Sequence, residues 1–392
     1  MLPAEFEDPL LLVPGPSQLA PPARRHVGRH VGHRSEMFRR VFRETTELLK
    51  RVFDTSGDVH ILTASGTGAV DAAILNFIKP SDKVLALVFG TFGRRFAEQA
   101  SRACSKVYRL VVPLGTTPSP AQVRTFVESE GLKEIDVAIM VFNETNPGVT
   151  LRELPDIVRY VHDLGGIAVV DNVSGLGGDY FSCDKWDIDV AISSSQKCLA
   201  SPPGLSFITV RTPEAERRLS SNTCVSTYFD LKLTKKFLEK NETPFTPAVN
   251  LLFALRDSLD FIVNNVGLDR WIRWHRDRAR LILDVLEKLK LRPFVENSDV
   301  RSVTVLSFLY PESVSPAEFR SLVYRLYNIE IADGMDDLRG RIFRIGNMGW
   351  VTRRDILALV AALASAVRVL TGDRLGSLDE ALELVAKANL LV

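Results

Sequence analysis

The chain has 392 residues, 46% hydrophobic and 25% charged, with a formal net charge of +1. That length allows a sizeable core and two domains, and the apolar content sets disorder aside. So small a net charge gives no general pull toward nucleic acid or an anionic membrane, so any anion must be bound locally.

The four cysteines (Cys104, Cys183, Cys198 and Cys224) form no CxxC pair and no metal-ligand spacing, which points to free thiols in a reducing compartment. Near the start, the acids Glu5, Glu7 and Asp8 stand where a signal peptide needs basic residues. The most apolar stretch, ILALVAALASAV, is stopped by Arg368 and falls short of the roughly 20 residues of a membrane span. The final NLLV is not a peroxisomal signal. A cytoplasmic enzyme with no membrane or nucleic-acid partner is expected.

The first predicted element is a helix in SEMFRRVFRETTELLKRVF, where Phe38, Val41, Phe42, Leu48, Leu49 and Val52 recur at helical spacing. From about residue 59 to 210, short apolar runs alternate with amphipathic stretches. The predicted strands are VHILT, VLALV, VYRLVV, VAIMVF, IAVVD, VAIS and LSFITV, with helices at 92–103, 120–129 and 153–164 between them. Continuously apolar strands separated by helices imply an α/β fold with a mainly parallel sheet covered on both faces. In such a sheet the ligand lies beyond the carboxyl ends of the strands. After Asn250 two helices run to about Leu291, the second carrying Trp271 and Trp274. The remainder reads VTVLSF, a helix after Pro316, IEIA, RIFRIG and a helix from Arg353, which is a smaller α+β domain at about 269–392. The helix near 270–290 is the expected connector, and LDEALELVAKANLLV reads as a last amphipathic helix. No internal repeat is visible.

Two residues at predicted strand exits carry the strongest chemistry. Lys197 closes SSSQK just after VAIS, and Asp171 closes IAVVD 26 residues earlier. Pyridoxal phosphate needs such a pair: an amine to form the imine with its aldehyde, and an acid to keep its ring nitrogen protonated. SGTGAVDAA, from Ser65, follows a strand and opens a helix, so it is either a phosphate cradle or a tight turn; it lacks the lysine of a nucleotide P-loop. In VFGTFG, Phe92 is either a ring lying on a flat cofactor or a core residue. In FNETNPG, Thr145 offers a hydroxyl while Asn146, Pro147 and Gly148 read as a turn. Arg344, on the strand RIFRIG, would hold a carboxylate through two parallel hydrogen bonds, with Arg339 and Arg341 as competitors. His26, His30 and His33 do not make a metal site, because Gly28 and Gly32 oppose a helix that would present all three, and no acid completes the set. Cys198 reads as a buried residue rather than a nucleophile.

Together, LLVPGPSQL, the HRS at His33, SGTGA, FGTFG, NETNPGV, VVDNVSGLGG, SSSQKCLASPPG and FRIG resemble the class V pyridoxal-phosphate aminotransferases, in particular the alanine–glyoxylate and serine–pyruvate group. The resemblance runs from residue 10 to about 350. It implies a fold-type I transferase whose large domain, 21–268, carries a seven-stranded sheet and binds the cofactor, with residues 1–20 lining the active site. It further implies that Lys197 is the Schiff-base lysine and Asp171 the partner of the pyridine nitrogen. Thr67, Gly68, Ala69 and Gln196 fall at the phosphate, with Thr246 lent by the other subunit of a homodimer. Phe92 and Val173 match the residues on the two ring faces, Thr145 the hydroxyl near the phenolic oxygen, and Arg344 the carboxylate clamp, while Gly15 and Pro16 line the substrate side.

Three positions depart from the family pattern. Phe92 stands where tryptophan or tyrosine is frequent, Ala69 where some members have histidine, and Asn146-Pro147 where small hydroxyl residues are usual. The implied activity is ping-pong transfer of an amino group from alanine or serine to glyoxylate or pyruvate. The alternatives are another fold-type I reaction, of lyase or desulfurase type, or a non-catalytic homodimer. A desulfurase needs a cysteine well after the lysine, and none follows Cys224.

Overall fold

A computed structural model describes residues 8–25, 27–312, 314–372 and 376–390. His26 and the first seven residues of the 1–20 segment lie outside the described residues.

In chain order the strands are β1 (Leu10–Leu12), β2 (Asp58–Leu62), β3 (Lys83–Val88), β4 (Lys106–Val111), β5 (Val137–Val141), β6 (Asn143–Glu144), β7 (Val149–Thr150), β8 (Ile167–Asp171), β9 (Val190–Ser194), β10 (Ser206–Val210), β11 (Val305–Leu309), β12 (Ile329–Asp333) and β13 (Ile342–Gly346). Seven of them form one sheet in the order β2-β10-β9-β8-β5-β3-β4. All its neighbours pair in parallel except at β10, which runs antiparallel to both β2 and β9. The expected mainly parallel, seven-stranded sheet is therefore present. Two antiparallel steps through β10 restore direction, so β2 points the same way as β9. The carboxyl ends of β2, β3, β5, β8 and β9 consequently open on one edge of the sheet, and their loops converge there. Every residue of β5, β8, β9 and β10 is buried, as their continuous apolar sequences require. At the rim, no residue of β4 is fully buried, consistent with the charged residues of KVYRLV on an edge strand.

The helix Glu36–Phe53 lays its apolar stripe on this core and is capped by Ser35, whose side chain accepts from the Phe38 N–H. At the far end of the domain, the helix Val249–Asp260 widens into a π-helical turn, Phe261–Gly267, before Leu268–Lys288. This last helix spans two cores. Trp271 and Trp274 sit in the core of the large sheet, whereas Ile282, Val285 and Leu286 belong to the second core. The two cores are therefore joined along this helix.

The second core packs against a sheet ordered β1-β12-β13-β11. β1 was not expected. Leu10–Leu12 adds to β12 in parallel, Leu10 opposite Ile329. The chain then crosses back to the large domain, where the Ser17 N–H donates to Gln196 O (2.9 Å) and the Ala20 N–H to Ala200 O (2.8 Å). The N-terminal segment thus ties the small sheet to the loop that carries Lys197.

Phe207 on β10 is fully buried in the main core. Phe207→Ala is expected to lower the unfolding free energy by about 3–5 kcal/mol, read as a fall in denaturant midpoint with wild-type secondary structure retained.

Candidate active site

The converging loops enclose a cavity of about 340 Å³ lined by Thr67, Phe92, Thr145, Asp171, Gln196 and Lys197, among others. Lys197 follows β9 by three residues and is buried. Burial lowers its ammonium pKa to about 8; Cys198 and Asp171 oppose the fall and Arg344 adds to it. The Nζ donates to the Pro14 carbonyl, and the Lys197 carbonyl accepts from Ser17 Oγ at 2.6 Å. Gly15 is required in this contact. Its φ is +114°, and a Cβ there would lie 2.4 Å from Lys197 Nζ.

Asp171 ends β8 next to β9, with Asp171 opposite Ile192. Burial pushes its carboxyl up to about 6, against one backbone donor (Val173 N–H to Oδ1, 2.8 Å) and the charge of Lys197. An amine and a carboxyl are therefore held in one cavity, each with its charged form penalised.

A model of the aminotransferase class-V family matches residues 23–337. The chain belongs to the class-V aminotransferases. It is 38% identical to an uncharacterized aminotransferase of Methanocaldococcus jannaschii, covering 92% of this chain and 93% of that one. It is 33% identical to the small subunit of a soluble hydrogenase from Synechococcus sp. (91% and 92% covered). It is 31% identical to a serine–glyoxylate aminotransferase of Methylorubrum extorquens (90% and 89% covered). Among solved structures, an alanine–glyoxylate aminotransferase from Nostoc sp. superposes with a TM-score of 0.87 at 28% identity, over 94% of this chain and 97% of that one. The enzyme is a transaminase dependent on pyridoxal phosphate.

The cavity fits that cofactor. Among the described residues Asp171 has a single donor and the buried Gln196 Oε1 has no hydrogen-bond partner, so both await a ligand group. The turn before the helix Gly66–Phe77 is closed by Ser65 Oγ accepting from the Gly68 N–H (3.3 Å), and Ser65, Gly66 and Thr67 line the cavity. A Cβ at Gly68 would approach that of Ala64 to 2.9 Å. Ala69 faces the apolar core, so only its backbone is available. Phe92 and Val173 both line the cavity.

Pro16 is exposed beside Gly15. Thr246 lies elsewhere, on an exposed loop beside Tyr228 and Phe245. That loop is anchored by the buried Glu242, which accepts from Arg34 and from Arg39 Nε (2.9 Å). Of the three arginines considered, Arg339 and Arg341 are exposed, whereas Arg344 is only 6% exposed. Arg344 donates to Asp333 O (Nε, 2.7 Å) and Thr145 O (Nη1, 3.2 Å), and among the described residues no carboxylate pairs with it. Burial lowers its pKa to about 10, against the nearby Asp333 and Glu144. Cys198 is fully buried and its thiol is pushed up to about 12, as a core residue. His30 is exposed and His33 half-buried; among the described residues no three His, Cys, Asp or Glu side chains gather as metal ligands.

The sequence did not single out Asn143 or the exposed Arg95 and Arg102, which also line the cavity, nor Glu144 beside it. The helix Thr91–Ala103 starts at Gly90, which has no side chain to cap it. Glu144 reaches in from β6 instead and accepts from the N–H groups of Phe92 (2.9 Å) and Gly93 (2.9 Å). A Cβ on Gly90 would sit 2.0 Å from Glu144 Cγ, so glycine there permits the approach. Asn143 receives Thr150 Oγ1 (2.9 Å) and donates to Ser174 Oγ (2.7 Å), bracing the cavity wall. Helical caps signal themselves within a few residues; a cap supplied 52 residues away gives no local sign.

Burial pushes the Glu144 carboxyl up from 4.5 to about 7, despite its backbone donors. Between those values the folded protein holds a proton that the unfolded chain has released, so this group's contribution to stability falls as pH rises. Glu144→Gln should flatten the loss of denaturation midpoint from about pH 4.5 to 7 relative to wild type.

Proposed function

We propose that this class-V aminotransferase moves an amino group from a small amino acid, alanine or serine, to a small 2-oxo acid, glyoxylate or pyruvate, with ping-pong kinetics. The observation that carries the reading is Arg344: a buried cation without a carboxylate partner, in Coulomb reach of Lys197. A cation so placed is relieved by a ligand anion, and the α-carboxylate of an amino acid supplies it. The choice of small substrates rests on the activities for which relatives are named.

When bound, pyridoxal phosphate supplies the electron sink that lets an amino acid lose its Cα proton and its nitrogen. In our assignment Lys197 Nζ takes that proton and returns one on the cofactor side; an amine with a pKa near 8 is suited to both. Asp171 holds the proton on the pyridine nitrogen, Arg344 binds the substrate carboxylate, and Phe92 and Val173 flank the ring. Thr145 contacts the cofactor near its phenolic oxygen. Thr67, Gly68, Ala69 and Gln196 bind the phosphate together with Thr246 of the partner subunit in a homodimer, and Gly15 and Pro16 bound the substrate side.

We further place the enzyme in the cytoplasm; its four unbridged cysteines suit a reducing compartment. The hydrogenase-subunit relative raises a non-catalytic role, but a scaffold has no use for Lys197 and Asp171 in one cavity with Arg344 in Coulomb reach of the lysine.

The decisive experiment adds L-alanine, then L-serine, to the cofactor-loaded enzyme without an acceptor. Loss of the bound cofactor's visible absorption with release of the matching 2-oxo acid is expected for the donor. Lys197→Ala should abolish turnover, and activity retained in that variant overturns the assignment. Arg344→Ala should raise the donor KM on the order of 10- to 100-fold, the value of charge-assisted hydrogen bonds.

A further inference from the structure

Three segments distant in sequence meet beside Arg344: the start of the helix Thr91–Ala103, the loop after β6, and the small-domain loop after β12. Asn146 is at their junction and is 1% exposed. Its Nδ2 donates to Thr91 Oγ1 (2.9 Å) and to Met335 O (3.2 Å), and its Oδ1 accepts from the Met335 N–H (3.1 Å). Thr91 Oγ1 in turn donates to Asp336 Oδ2 at 2.8 Å. Both amide hydrogens and the amide oxygen are thus engaged, and two of the three bonds grip one residue of the small domain by its backbone.

That grip borders the groups that aim Arg344. One of its two carbonyl anchors is Asp333 O, two residues before Met335; the other is Thr145 O, one residue before Asn146. Freed from Met335, the loop would keep the Thr91–Asp336 bond and the half-exposed Arg94 pairs with Asp336 and Asp337, none of which grips its backbone beside Asp333. A turn asparagine normally satisfies its amide within a few residues. Asn146 instead bonds across 55 residues to Thr91 and 189 to Met335. The serine or threonine more usual at this position has one hydroxyl, too short and with too few donors to span both the N–H and the carbonyl of Met335.

We propose that Asn146 is a positioning residue that pins Met335 and so holds Arg344 in the geometry that receives the substrate carboxylate. The proposal rests on the reading of Arg344 as the carboxylate clamp.

The test measures propionate, an unreactive carboxylate of substrate size, binding to the cofactor-loaded enzyme through the change in cofactor absorption, alongside steady-state kinetics with the donor. Asn146→Ala should raise the propionate Kd and the donor KM on the order of tenfold. The kcat should change by less than about threefold, and pyridoxal phosphate should bind the stripped protein within about twofold of wild type. In the Arg344→Ala background the same substitution should add nothing, because both changes act through one guanidinium. Asn146→Ser, able to remake one bond, should fall between. Equal losses in both backgrounds would make Asn146 a general structural residue and overturn the proposal. Unchanged propionate affinity in Asn146→Ala, with affinity lost in Arg344→Ala, overturns it as well. Unchanged affinity in Arg344→Ala would instead remove the clamp reading beneath it. Should Asn146→Ala not fold, Thr91→Val, which removes the bond to Asp336 and one acceptor of Asn146, carries the test: a smaller rise in propionate Kd supports the proposal, and no rise overturns it.

Discussion

The burial of two ionisable groups in one cavity, with a third in Coulomb reach of the lysine, is the constraint on which the rest of the structure turns. Lys197, Asp171 and Arg344 each have their charged form penalised by removal from water, and none is fully compensated by protein partners. A fold tolerates such groups only where other packing outweighs them. Here the compensation comes from the continuous apolar strands β5, β8, β9 and β10, all buried along their length. The parallel direction of β8 and β9 is what brings Asp171 and Lys197 together, because it puts their strand exits on one edge. In the proposed function a cofactor bearing a ring proton and a substrate bearing a carboxylate would supply the missing counter-charges.

The second dependence is on connection. The cavity is built from the large sheet, yet Arg344, in Coulomb reach of Lys197, stands on β13 of the small one. Several links hold that arrangement, and these are among them. The helix Leu268–Lys288 contributes to both cores, the N-terminal segment runs from β1 to the loop beside Lys197, and Asn146 grips Met335. Buried Arg278 strengthens the first link. It lies against the Trp274 ring (4.4 Å) and donates to Val351 O at 2.7 Å, so an arginine in the helix binds the backbone that follows β13.

How much of this was legible follows from where each signal lies in the chain. The seven strands were readable because parallel strands buried on both faces must be apolar throughout. Asp171 was readable because it closes such a run, and Lys197 because it follows another by three residues. Their chemistry needs only a residue type at a strand exit, which is local information. β1 was not readable: three leucines become a strand only because β12 offers a free edge more than 300 residues later. Glu144 and Asn146 were hidden for the same reason. Their residue types suit a turn, and their partners are 52 and 189 residues away. The reading of Asn146-Pro147-Gly148 as a turn described the backbone and missed what the side chain holds.

Glu144, Thr145 and Asn146 are consecutive, and each faces a different body. Glu144 caps the helix that carries Phe92, Thr145 lines the cavity and lends its carbonyl to Arg344, and Asn146 grips the small domain. A shift at any one is transmitted to the other two through a single peptide unit, which has only two soft dihedrals per residue to absorb it. The departures from the family pattern therefore differ in reach. Ala69 faces a core and alters only its own surroundings. Asn146 sits on the segment that couples the cofactor wall to the substrate cation, so a change of residue type there acts on substrate recognition without touching the substrate.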